Sequence, residues 1–154
     1  MPAAIGLIAV GAAAMLQTMF GALVPSGWWM PDLLLVVTVL AVGSDPERAL
    51  IASVIAGSAA AVLTARQSWS AGAAYLGVGI ALRWVATRWN IADTAIQLVC
   101  VAVLESAIVA WWLVVSGHVT ISLIGSAVLR VALTAAIVPF CRRAWRAIER
   151  ARAS

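Results

Sequence analysis

Lysine is absent from this 154-residue chain; all ten basic residues are arginine, set against six acids. Charge of either sign is scarce, at 10% of residues, while 64% are hydrophobic and the mean hydropathy is +1.05. So few charges cannot cover a soluble globule. Histidine occurs once and cysteine twice, which excludes a disulfide framework and a metal cluster. Cys100 and Cys141 fall within or at the end of apolar runs and read as small core hydrophobes. His118 has no Cys, Asp or Glu at ligand spacing. The N-terminus lacks a positive n-region and a cleavage pattern, so the first apolar run reads as a retained helix. No serine sits in an elbow motif and no glycine-rich phosphate loop follows a strand, which leaves catalysis and cofactors without support. No basic face is interleaved with stacking aromatics, so there is no case for nucleic acid.

What the chain has is apolar runs of about 16 to 25 residues, the length of helical membrane spans and not of barrel strands. The expected fold is an all-α integral membrane protein, a compact bundle of about six transmembrane helices. The spans are Ala3–Val24, Pro31–Val42, Ala49–Ala65, Ala71–Ala86, Ile91–Val115 and Val119–Phe140. The second, at about 18 Å, is too short for an ordinary crossing and reads as tilted, shallow or set in a thinned membrane. Residues 1–141 form the polytopic domain and 142–154 an arginine-rich tail. That tail holds five arginines and one acid, while the preceding part holds five of each and is neutral.

Orientation follows from arginine counting. With the C-terminus inside, Arg48, Arg83, Arg88 and the five tail arginines are cytoplasmic, leaving Arg66 outside and Arg130 within the membrane. Both termini are then expected in the cytoplasm. The tryptophans agree, with positions 28, 29, 69, 111 and 112 in an outer belt and 84, 89 and 145 in an inner one.

Local signals refine the spans. Trp28-Trp29-Met30-Pro31-Asp32 joins interface aromatics to a helix start, with Pro31 at the first helical position and Asp32 facing the positive dipole end. Gly43 is placed as the residue closing that helix. Asn90 and Asp93 have N-cap and N3 spacing for the fifth span. Ser53, Gly57 and Ala61 make a small-residue stripe for helix packing. Glu105 and Arg130 lie about equally far from the Gly117 turn, within about 2 Å in depth, so an intramembrane ion pair is expected. With no second acid in view, a structural role outweighs an ion or proton relay. Gln17 and Gln97 are expected to hydrogen-bond between helices. In the tail, Arg142, Arg143, Arg146 and Arg150 suit anchoring to anionic lipids, or docking of a cytoplasmic protein.

Across residues 12 to 80 the chain resembles the rod shape-determining protein MreD family. The likeness rests on Leu16-Gln17-Thr18, Pro31-Asp32-Leu33-Leu34-Leu35, the segment Ser53–Gly57, and Gly72 with Tyr75, Gly77 and Gly79. Ser53 replaces a family glycine, and Ala61 stands where the family commonly has an aspartate. The resemblance implies a non-enzymatic inner-membrane subunit of the bacterial wall-elongation machinery. Its partners would be an MreC-like periplasmic scaffold, the actin-like MreB filament and a peptidoglycan glycosyltransferase–transpeptidase pair. Gln17, Trp28, Trp29, Pro31 and Asp32 are the expected partner-binding residues. The alternative is the substrate-binding component of an energy-coupling-factor vitamin transporter, also a six-helix bundle, whose pocket would need Gln17, Asp32, Arg66, Gln67, Ser68 and His118.

Overall fold

The structure, a computed structural model, describes residues 2–23, 30–63, 68–117 and 119–153. All regular structure among them is helical: α1 (Pro2–Leu23), α2 (Leu33–Ser44), α3 (Ala49–Leu63), α4 (Ser68–Arg88), α5 (Thr94–Ser116) and α6 (Ile121–Ala153). A 3-10 turn, Pro46–Arg48, joins α2 to α3. Within α5 and α6, Thr94–Val115 and Ile121–Ala151 are long and apolar enough to cross a membrane.

The helix ends have local causes, and several differ from expectation. α2 starts at Leu33, so Pro31 precedes the helix and Asp32 is its N-cap, accepting from the Leu35 N–H at 3.0 Å. A short acceptor is more useful at that position than a residue lacking an N–H. α5 is capped by Asp93, which accepts from Ala95, whereas the Asn90 side chain only braces the preceding turn through Ala92. Gly43 lies inside α2, which runs on to Ser44. A Cβ there would sit 2.5 Å from the Gln97 amide nitrogen and 3.3 Å from the Ile91 carbonyl. Its glycine serves close approach of α5. The α5–α6 turn does need glycine freedom, because Gly117 has φ of 67°.

α2 is the axis of the bundle. Leu34, Leu35, Val36, Thr38, Val39, Leu40 and Val42 are buried, and α1, α3, α5 and α6 all pack on it. Asp32 lies against Thr134, and Ser44 against Trp145 and Glu149, so α2 runs parallel to α6. It runs antiparallel to α5, with Gly43 beside Gln97 at one end. One core group gathers Val36, Val39, Leu82, Val101 and Val138; a second joins Val10 and Ala13 of α1 to Leu34, Ala56 and Tyr75. α3 and α4 form the closest pair. Gly57 permits this, since a Cβ there would lie 3.1 Å from the Tyr75 Cβ. Ser53 and Gly57 of the expected stripe are both buried.

The long helices remain apolar outside. Val99, Val103 and Val114 on α5, and Ile121, Val128 and Phe140 on α6, are exposed. α6 does not stop at Phe140; it continues through Pro139 and the arginine-rich segment to Ala153.

A buried polar cluster at the start of α2

The first turn of α2 leaves N–H groups that a buried helix end must satisfy. Gln17 of α1 supplies one acceptor: its Oε1 takes the Leu34 N–H at 3.3 Å. The Asp32 carboxylate takes that of Leu35. The Asp32 N–H goes to the Thr134 hydroxyl at 3.0 Å, which itself donates to the Arg130 carbonyl at 2.8 Å. Every one of these bonds joins two buried or half-buried residues. They bring the N-terminus of α2 to the middle of α5 and α6, where Glu105 and Arg130 stand.

Asp32 is 2% exposed. The Tyr75 hydroxyl of α4 donates to it, 2.7 Å from both carboxylate oxygens. The Arg130 guanidinium reaches it from α6, Nη2 to Oδ2 at 3.3 Å. Through Nε the same guanidinium donates to Glu105 Oε1 on α5. Glu105 is fully buried, and its Oε2 has no hydrogen-bond partner among the described residues. Gly57 of α3 packs on Tyr75 from behind. Residues from all six helices therefore meet at this point.

Two carboxylates share one guanidinium. With both ionised, the cluster carries one negative charge in excess, and Glu105 Oε2 is the atom left to receive a proton. These contacts hold charge and fix the position of the helices. Thr134 donates to a backbone carbonyl and Tyr75 to a carboxylate, so both hydroxyl protons are engaged within the cluster.

The structure redraws the expected sites. Asp32 was assigned to an outer edge open to a partner; it lies inside, tied to α4 and α6. Gln17 is turned to α2, and Pro31 is half-buried beside it. Trp28 and Trp29 lie outside the described residues, as do Arg66, Gln67 and His118. Glu105 and Arg130 are in contact, but they are not an isolated, electrically complete pair, because Asp32 is the second acid. Sequence reasoning gave Tyr75, named only for the resemblance, and Thr134 no part in the site. One signal was available: the only tyrosine of the chain, in an apolar span, needs a partner for its hydroxyl. Arg142 donates to the Ala92 carbonyl, while Arg143, Arg146 and Arg150 are exposed.

No family model, curated protein or solved structure matches the chain.

Proposed function

We propose that this chain is a non-catalytic, multi-pass subunit of the bacterial inner membrane, with both termini cytoplasmic. Its task is to bind and stabilise an MreC-like scaffold in the wall-elongation machinery. The observation that supports this reading is a convergence. Gln17, Asp32, Gly57 and Tyr75, which carry the MreD resemblance in four separate helices, are neighbours around the start of α2. Short apolar motifs scattered along a chain have no reason to meet unless they serve one structural feature.

The membrane setting gives that cluster its purpose. A charge at mid-depth costs at least about 2.5 kcal/mol unless paired, and a short α2 can begin there only if its N-terminus is satisfied by protein. α2 is thus a half-span shielded by its neighbours, which answers why so short a helix is tolerated. The cluster builds the body that presents a partner surface; it is not itself that surface.

With Asp32 and Gln17 engaged inside, the scaffold's membrane helix is assigned to the outward side of α1. Ile8, Gly11, Ala12, Met15 and Met19 follow one another there at helical spacing, all exposed. A Cβ on Gly11 would meet nothing within 4 Å, so a second helix has room to approach closely. Co-purification from native membranes tests the reading. The chain should be recovered with an MreC-like protein, and Gly11→Leu with Ala12→Leu should reduce that recovery without lowering the amount of chain. Recovery with a transporter's energising module, or tight binding of a vitamin, would sink it in favour of the transporter alternative. Among the described residues, two of that alternative's pocket groups, Gln17 and Asp32, bond to the protein's own helices instead.

A further inference from the structure

At the arginine-rich end of the bundle an open cleft of about 170 Å³ lies between the end of α2, the start of α5 and the later half of α6. Ser44, Gln97, Arg142, Trp145, Arg146 and Glu149 carry its polar groups. Two of those groups are buried with no hydrogen-bond partner among the described residues: the acceptor Gln97 Oε1 and the donor Arg142 Nη1. The Gln97 residue is 3% exposed. An orphan donor and an orphan acceptor on one cleft ask for an occupant offering both complements.

Charge narrows the choice. Arg142 and Arg146 are one turn apart on α6, where like charges repel. The acid of the cleft, Glu149, is already engaged by the Ser44 hydroxyl at 2.8 Å and the Trp145 indole N–H at 2.9 Å. The lining is net positive, so the occupant is an anion. The Arg142 Nη2 donates to the Ala92 carbonyl, which holds the guanidinium over the chain leading into α5. Trp145 beside it has the apolar body and polar edge of a residue at the lipid boundary.

We propose that this cleft is a specific site for the headgroup of an anionic phospholipid that carries a hydroxyl, of the phosphatidylglycerol type. Its phosphate oxygens accept from Arg142 and Arg146, and its headgroup hydroxyl donates to Gln97 Oε1. Basic pockets between helices at the cytoplasmic boundary bind anionic headgroups on these terms. The proposal rests on the membrane setting given above and is independent of the scaffold partner.

Native mass spectrometry of the full chain, released from micelles containing phosphatidylglycerol and phosphatidylethanolamine, tests it. The chain should retain phosphatidylglycerol in preference to phosphatidylethanolamine. Arg142→Gln with Arg146→Gln should lower that retention by about tenfold or more. Arg143→Gln with Arg150→Gln removes the same charge from exposed positions and should leave it unchanged. Phosphatidylmethanol keeps the anionic phosphate without the hydroxyl and should bind more weakly; Gln97→Leu should erase that difference. If Gln97→Leu melts early by circular dichroism, the two lipids compared on the unaltered chain decide the hydroxyl contact. Equal losses in both arginine pairs, equal retention of both natural lipids, or a cleft filled by water alone would overturn the site. Displacement by soluble glycerol phosphate would make the ligand a free phosphate ester, overturning the lipid assignment. Any of these in a chain still extracted from membranes leaves the membrane reading standing, whereas recovery in the soluble fraction overturns both.

Discussion

The shortest α-helix and the longest are used in opposite ways. α2 has 12 residues, seven of them buried, and every other helix is arranged around it. α6 has 33 residues, yet among its described side chains only Ala127, Thr134 and Val138 are buried. Length alone would rank them the other way, since α6 is long enough to cross a membrane and α2 is not. In the membrane setting proposed above, an apolar side chain facing lipid gains nothing further by turning inward, so burial within the protein is decided by other groups. In α2 those groups are polar: Asp32 and the free N–H groups of its first turn must be satisfied by protein, and that need pulls the helix to the centre. α6 supplies part of the answer through Arg130 and Thr134, and most of the rest of its described surface stays exposed or half-buried.

This contrast can be broken most severely at Arg130. Arg130→Met leaves Asp32 and Glu105 facing each other, buried and without their cation, and should cost about 3–5 kcal/mol, read as loss of the folded chain in detergent melts. Arg130→Met combined with Glu105→Gln should lose clearly less than the sum of the two single changes. A cycle that adds without coupling would show that the guanidinium does not balance those acids. Tyr75→Phe comes next. It strips Asp32 of its hydroxyl donor and should cost about 1–3 kcal/mol, whereas a melt equal to the unaltered chain would remove Tyr75 from the cluster.

Smaller effects sharpen the comparison. Gly57→Ala sets a methyl 3.1 Å from the Tyr75 Cβ and should cost about 1–3 kcal/mol, while Gly11→Ala on the open side of α1 should be neutral or slightly stabilising. Equal melts for the two would mean that α3 does not lie so close to α4. Glu105→Gln alone should be milder than any loss of Arg130, because it closes the excess negative charge while keeping a buried polar side chain. At the low end, Arg143→Gln with Arg150→Gln on the exposed side of α6 should move the melt by no more than about 0.5 kcal/mol. A large shift there would make the tail part of the core.

Much of this was legible in the sequence because the relevant constraint is local or nearly so. Apolar runs mark helices, and Asp32 and Asp93 sit where caps are needed. Glu105 and Arg130 could be set at one depth because the turn at Gly117 ties their helices in register. Asp32 could not be added to them in the same way. It stands 98 residues from Arg130 and 43 from Tyr75, with several turns between. The shortness of its own helix was the available clue: twelve residues ending at the arginine-rich end place Asp32 about 18 Å from that end, and not at the opposite face. Interface tryptophans beside it argued for the opposite depth.

By itself the sequence determined helix number, helix type and the excess of arginine at one end, since these depend on composition and on short-range backbone chemistry. Only the tertiary structure decided that a 12-residue helix is the centre and that an acid assigned to an outer edge lies inside. The same holds for Gly43, which lets α5 approach instead of ending α2. Those outcomes depend on which distant groups complete each other's hydrogen bonds and charge, and the pairing exists only once the helices have packed.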